Sequence, residues 1–390
     1  MAYRILSLDG GGAWALIQVK ALTALFGGNA RGHAVLGSFD LAAANSGGSL
    51  TLAGLIEDKR LSDILEMFKD EAKRRSIFSP TRSPWRPIYN LLGIGPKYSA
   101  AAKLTAIHSL LPTTGNKVLP DVAQTILGHS GQPVHLLIVG FDYDTNRAVF
   151  FRSAEVKDRP VWGSGTPANS TLAEAVHIST NAPINYFDAP AAISSARDRF
   201  WDGGITGCNN PAVAATIEAI TQNIAAADIR LLSIGTGTVS LPFEPAQPPF
   251  TAERRPPSFV RDLQKLATAI LDDPPDIATF ISYAITRDRA SAAPYPDRVV
   301  RMNPMIAPQR TANGWATYAN MTNEEFAYLC GIGMDAVEQP QVAAIESYCD
   351  LWLADRVPNQ PIRMDSARLE PEIGQARFSQ ARAAWEKISA

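Results

Sequence analysis

The chain has 390 residues, of which 46% are hydrophobic and 19% charged, with a formal net charge of −2. A chain of this length buries enough apolar surface to need no disulfide or metal staple, and its near-neutral charge gives no reason to expect nucleic acid as a partner. Three widely spaced cysteines, Cys208, Cys330 and Cys349, form no CxxC pair, which argues against a disulfide framework or a thiolate zinc site and fits a reducing compartment. Met-Ala-Tyr-Arg leads directly into an apolar run, without the pattern of a signal peptide, and no stretch of about 18 apolar residues follows. The expected address is the cytoplasm, with peripheral contact at a membrane kept open.

In chain order, Ile5–Leu8 reads as a short buried strand that ends in Asp9-Gly10-Gly11-Gly12. Ala13–Leu25 carries helix-compatible apolar positions at Leu16, Val19, Leu22 and Leu25 and stops at Gly27-Gly28. Phe39–Ala44 reads as a second strand, interrupted at Gly47-Gly48 and followed by a helical stretch over Leu50–Ile56. Further strands are expected at Val134–Gly140, Ala148–Arg152 and Arg230–Ile234, and a helix over Pro211–Ala226 with Asn209-Asn210 as capping candidates. Ser76–Gly95 and the proline-rich Leu241–Pro257 read as irregular, and from about Phe259 to Lys387 the chain reads as mostly helical. This alternation predicts an α/β fold with a mostly parallel central sheet flanked by helices and a mainly helical C-terminal extension. The expected organisation is a catalytic α/β region over 1–240, a proline-rich loop over 241–258, and a helical region over 259–390 packed on the same domain.

Three segments carry chemistry. In Ala44-Asn45-Ser46-Gly47-Gly48 a serine stands between a strand and a helix with tiny residues at −2 and +2, the pattern of a nucleophile elbow. A glycine-rich turn with an N-capping serine would read the same way. Asp9-Gly10-Gly11-Gly12 offers backbone N–H groups to an oxyanion or a phosphate. Gly10, Gly12 and Ala15 also meet the relaxed dinucleotide fingerprint, but no acid follows over Ala30–Gly37, where that fingerprint requires one. Trp201-Asp202-Gly203-Gly204 is a turn aspartate or a base for the serine. The five histidines, His33, His108, His129, His135 and His177, all precede Asp202, so a Ser-His-Asp triad in hydrolase order with Asp202 as its acid is excluded. Either Ser46 is inert or its base is not histidine.

Asp9–Gly12, Ala44–Gly48 and Asp202–Gly204, in this order, together resemble the patatin-like phospholipase family. Phe39-Asp40-Leu41, Ala182-Pro183 with Tyr186-Phe187, Asn209-Asn210-Pro211 and Ser233-Ile234-Gly235-Thr236-Gly237 add to the likeness, which spans roughly Arg4 to Thr238. The resemblance implies a three-layer α/β/α fold and a serine–aspartate dyad, with Ser46 as nucleophile, Asp202 as base and the N–H groups of Gly10, Gly11 and Gly12 as oxyanion hole. It implies a phospholipid or other acyl-ester lipid as substrate, hydrolysed through an acyl-enzyme by phospholipase A or lysophospholipase-type chemistry, with no metal or cofactor. Two positions depart from the family pattern: Trp14-Ala15 replace its Arg-Gly, and Ala44 replaces the first elbow glycine. A degenerate member that binds lipid or protein without turnover, and a nucleotide-phosphate-binding module built on Gly10–Gly12, are the alternatives. Lys73-Arg74-Arg75, Phe78, Arg82, Trp85, Arg86, Tyr89 and Lys97 form a basic and aromatic segment. The segment reads as a solvated, proline-rich connection, as a border of the acyl-chain entrance, or as an approach to an anionic membrane surface, with Arg74, Arg75, Trp85 and Arg86 as candidate lipid-surface contacts. The oligomeric state is not legible.

Overall fold

The computed structural model describes residues 2–81, 95–154, 170–184, 186–193, 199–242, 247–252, 256, 274–287, 298–365 and 370–390. The first strand, β1 (Tyr3–Leu8), passes through a 3₁₀ turn at Gly12–Ala15 into α1 (Leu16–Phe26). After α2 (Gly32–Leu36) comes β2 (Leu41–Ala44), followed by α3 (Gly47–Ile56), α4 (Leu61–Lys69), α5 (Glu71–Ile77), α6 (Ala100–Leu110) and α7 (Leu119–Ala123). A hairpin of β3 (His135–Asp142) and β4 (Arg147–Arg152) leads to α8 (Leu172–Ser179), the short β5 (Ala191–Ala192) and β6 (Arg199–Asp202). The helix α9 (Ala212–Thr221), capped by the Asn210 side chain at 3.0 Å, precedes β7 (Ile229–Ile234) and β8 (Thr238–Val239). Beyond these lie α10 (Pro274–Thr286), β9 (Val299–Met302), α11 (Asn323–Cys330), α12 (Gln339–Leu353) and α13 (Phe378–Ile388).

The central sheet is mixed and mostly parallel. β1 lies between β2 and β7, and Leu8 is level with both Ala44 and Ile234, so the carboxyl ends of these three strands finish together. Their strands are near-continuous apolar runs because both faces are covered. Side chains alternate between two layers of core. Leu6, Leu8, Ala42, Ala44, Ile138, Ile234 and Met302 point to one cluster, and Ile5, Leu41, Ala43, Val139, Leu231 and Val299 to the other. The second layer is closed by Ala212, Ala215 and Ala219 of α9 with Tyr283 of α10. This is the three-layer fold expected.

The C-terminal third contains the expected helices, but it also supplies β9, which pairs parallel with β7 through Leu231↔Val299 to Ile234↔Met302 and extends the sheet. A four-residue strand carrying a central arginine has no readable alternation, so the sequence pattern hides it. Trp315, Trp352 and Trp385 from the same third are buried in the cluster that holds Leu6 and Ala44. Trp352 is fully buried, packs edge-on against Phe378 at 4.7 Å and donates from Nε1 to Asn359 at 3.2 Å. Trp352→Ala is expected to lower the unfolding free energy by about 3–5 kcal/mol in urea denaturation. A loss below about 1 kcal/mol would contradict this packing.

A buried ion pair ties the first strand to the last of the sheet. Arg301 Nη2 on β9 stands 2.6 Å from Asp9 Oδ2 just beyond β1, and Arg301 Nη1 donates to Ser233 at 2.8 Å. Removal from water pushes the Asp9 carboxyl up to about 6 despite the adjacent guanidinium. The folded state therefore holds this proton more tightly than the unfolded chain. Its contribution to stability is complete below the ordinary aspartate pKa and is lost as pH rises through about 6. Asp9→Asn removes that contribution, so the mutant's stability relative to wild type should fall between pH 7 and pH 4. An unchanged difference between those pH values, measured by urea titration, would show that Asp9 does not titrate there.

Candidate active site

The turn after β2 is tight. Ser46 takes φ 47° and ψ −124°, a region that non-glycine residues rarely enter, and α3 begins at the next residue. A Cβ on Gly47 would stand 2.5 Å from the Gly12 carbonyl oxygen, and one on Gly48 2.4 Å from that of Leu8. Only glycine lets the elbow lie against the glycine loop this closely. Ala44 is different: it is fully buried in extended β2, where its methyl simply joins the core. The N–H of Ser46 donates to Ser179 Oγ at 2.9 Å, and that hydroxyl donates to Asn45 Oδ1 at 3.3 Å.

Asp202 arrives from the opposite direction. β3 pairs with β4 along one edge, and its other edge takes β2 up to Ile138↔Ala44 and then β6, antiparallel, at Gly140↔Asp202. Two residues of strand separate these registers, roughly 7 Å, so the ends of β2 and β6 face each other across the elbow. The Asp202 carboxyl accepts from Asn45 Nδ2 at 3.1 Å and Gly204 N–H at 2.8 Å, and its backbone N–H donates to the Asn181 carbonyl at 3.0 Å. Burial raises its pKa, whereas hydrogen bonds from the Ser46 side chain, Gly204 and Asn45, and the charge of Lys103, lower it again. Ser46 and Asp202 thus line one cavity. Among the described residues no histidine is hydrogen-bonded to either. His177 is buried, with its pKa pushed down to about 2, and His135 pairs with Glu218 at 3.1 Å.

The glycine loop is narrower in function than expected. Gly10 N–H donates to the Asn209 carbonyl at 2.8 Å, so it is not free to meet an oxyanion. The sequence could not show this, because the acceptor comes from a loop some two hundred residues away. Among the described residues Gly11 and Gly12 N–H have no acceptor. Thr236 Oγ1 donates to the Gly10 carbonyl at 2.7 Å and fixes the loop from the β7 side. Trp14, where the family pattern has arginine, is buried and donates from Nε1 to the Gly333 carbonyl at 3.2 Å, while Ala13 N–H donates to that of Met334 at 2.9 Å. The buried cation beside this loop is Arg301 instead.

Several residues at the site carried no readable signal. Lys103 is fully buried and donates to the His177 carbonyl at 2.9 Å and to Asn181 Oδ1 at 3.0 Å, with Nζ 4.0 Å from the Phe187 ring centroid. Burial pushes its pKa well down, and the Asp202 charge opposes that shift. A single lysine in a helix gives no hint of this position. The 331–334 segment and Asn303 belong to the C-terminal third, which held no chemical motif. Together with Ser46, Asp202, Asn209 and Thr236 they line a cavity of about 1420 Å³, counted with its open mouth.

Of the proposed lipid-surface contacts, Arg74 and Arg75 are described, and the guanidinium of each is already paired within the protein. Arg74 is buried, 4% exposed, and its guanidinium donates to the Val337 and Phe68 carbonyls and to Gln339. It is a packing residue, since a run of basic residues on one helix must place one of them inward. Arg75 is exposed but committed to Glu71 at 2.8 Å and Glu338 at 2.9 Å. Trp85 and Arg86 lie outside the described residues. Among the described residues no helix is long and apolar enough to cross a membrane, and no cluster of metal-ligating side chains occurs.

Comparison with known proteins adds the following. The chain is 26% identical over 246 residues to a cGAMP-activated phospholipase of Escherichia coli (strain TW11681), covering 60% of this chain and 62% of that protein. The chain therefore spans about three fifths of that relative's length. Human GIVD cytosolic phospholipase A2 in complex with methyl gamma-linolenyl fluorophosphonate is similar over 100% of this chain and 59% of its own, at TM-score 0.47 and 12% identity. VipD from Legionella pneumophila is similar over 90% of this chain and 67% of its own, at TM-score 0.38 and 11% identity. The profile of the patatin-like phospholipases matches residues 6–216, the stretch that runs from β1 through the elbow and Asp202 into α9. The chain belongs to the patatin-like phospholipase family.

Proposed function

We propose that the chain is a lipid acyl hydrolase that works through a Ser46–Asp202 dyad. The observation that carries this reading is the strained Ser46 in one cavity with a buried Asp202; among the described residues no histidine is hydrogen-bonded to either and no cation pairs with Asp202. Asp202 takes the hydroxyl proton as Ser46 Oγ attacks the ester carbonyl. A base this weak succeeds because it is desolvated and stands close to the hydroxyl it deprotonates. The oxyanion develops toward the N–H groups of Gly11 and Gly12 and the N-terminus of α3, where each donor of such a hole contributes about 3–4 kcal/mol to the transition state. Collapse expels the alcohol, which takes the proton from Asp202 and leaves an acyl group on Ser46. Water then attacks the acyl-enzyme, with Asp202 again as base, and releases the fatty acid.

Asn45 and Gly204 orient the carboxylate, and Ser179 orients Asn45 and the Ser46 amide. Trp14 replaces the family's arginine without touching the free N–H groups of the loop, which supports turnover rather than a degenerate site. Against the nucleotide-phosphate alternative stands Gly10, whose N–H is already bonded to Asn209.

Hydrolysis of medium-chain p-nitrophenyl esters tests the dyad. Ser46→Ala and Asp202→Asn should each lower kcat/KM by about 10³-fold or more, with far-UV circular dichroism unchanged. Equal rates in all three proteins would end the proposal. The assay is run with and without cGAMP, the activator in the relative's name; a cGAMP-stimulated rate that survives Ser46→Ala would equally count against the dyad.

The pH profile offers a second test. With Asp202 raised by burial, kcat/KM should fall in acid with an apparent pKa above the usual ~3.9 of aspartate. Lys103→Met removes a positive charge that favours ionised Asp202, so the acid limb should move to higher pH. A limb that stays in place would show that Lys103 is not coupled to the base.

A further inference from the structure

We infer that the acyl chain of the substrate lies in a separate apolar slot behind Ser46, and that Ala53 and Met67 set the chain length it accepts. This rests on the hydrolase reading above. The slot is a narrow opening that runs between α3, α4, α5 and α6. Its walls are Leu50, Ala53, Met67, Phe68, Ile107 and Leu111, nearly all carbon. Arg74 borders it, yet its guanidinium is spent on the Val337 and Phe68 carbonyls and Gln339, so only its aliphatic stem faces the space.

A narrow neck joins the slot to Ser46. Gly12, Leu50, Ile77 and Phe78 line both the slot and the neck, and the neck also touches Ser46, Gly47 and Tyr186. On the far side of Ser46 the large cavity presents Asn209, Thr236 and Asn303. An ester whose carbonyl sits at Ser46 must send its acyl group one way and its alcohol the other. The wide cavity mixes an apolar wall with polar groups that can hold a glycerol or phosphate-bearing alcohol, whereas the carbon-lined slot offers no partner to such a group. Protein interiors are otherwise close-packed, and an apolar space of this kind stays dry and takes apolar ligands. Each methylene buried there should raise kcat/KM by up to roughly fourfold until the slot is filled.

The slot therefore acts as a ruler. Ala53, on α3, is 2% exposed and lines the slot, so a larger side chain there takes up part of its space. Met67 on α4 lines it as well, and truncation lengthens it. The experiment measures kcat/KM for p-nitrophenyl acetate through dodecanoate with wild type, Ala53→Leu and Met67→Ala. The dodecanoate-to-acetate ratio should fall at least tenfold in Ala53→Leu, and the chain length at which the rate levels off should increase in Met67→Ala. Ser46-dependent hydrolysis with the same profile in all three proteins would overturn the slot while leaving the dyad intact, and a raised Tm of Ala53→Leu with that profile would identify the space as a packing gap. Absence of any Ser46-dependent hydrolysis would instead overturn the hydrolase reading. Binding of dodecanoate to the Ser46→Ala protein, followed by calorimetry, gives an answer without turnover: Ala53→Leu should weaken it at least tenfold, and equal affinity would reject the slot.

Discussion

Along one edge of β3, β2 stops at Ala44 and β6 comes in antiparallel to end at Asp202. The site depends on this shared edge. It fixes the distance between the two strand ends by backbone hydrogen bonds alone, and it leaves the elbow nowhere to go but into a strained turn beneath the incoming carboxyl. The tiny residues follow from the same constraint. Gly47 and Gly48 must lie against the β1 loop, and Gly10 must lie against Asn209, because any Cβ there would collide with a carbonyl or amide oxygen.

Burial then sets the chemistry. Asp202 is desolvated, which by itself would favour its neutral form, and the hydrogen bonds of Ser46, Gly204 and Asn45 restore part of its charge. Asp9 and Arg301 repeat the balance in the same cavity, where the pair links β1 to β9 at the start of the glycine loop. The C-terminal third is therefore part of the site's foundation. It supplies Arg301, which pairs with Asp9, and the 333–334 carbonyls that accept from Trp14 and Ala13.

Much of this was legible in the amino-acid sequence because it is local. Ile5–Leu8 and Phe39–Ala44 are apolar runs ending at glycine clusters, and the strand–turn–helix reading of Ser46 needs only its own neighbours. Asp202 was legible through its double glycine and the lack of any later histidine. What escaped is non-local. β9 is short and carries a charge that only a partner across the sheet makes tolerable. Gly10 looked equivalent to Gly11 and Gly12 until Asn209 was seen to occupy its N–H. The run Lys73-Arg74-Arg75 looked like a surface patch, but helical periodicity turns Arg74 inward to three acceptors.

The central claim is that Ser46 is a nucleophile made reactive by Asp202. Reaction of the intact protein with an alkyl fluorophosphonate, mapped by peptide mass spectrometry, tests it without a choice of natural lipid. One adduct is expected, on Ser46, forming at least about a hundredfold more slowly in Asp202→Asn. An adduct on another residue, or labelling of Ser46 at the same rate in both proteins, would contradict it.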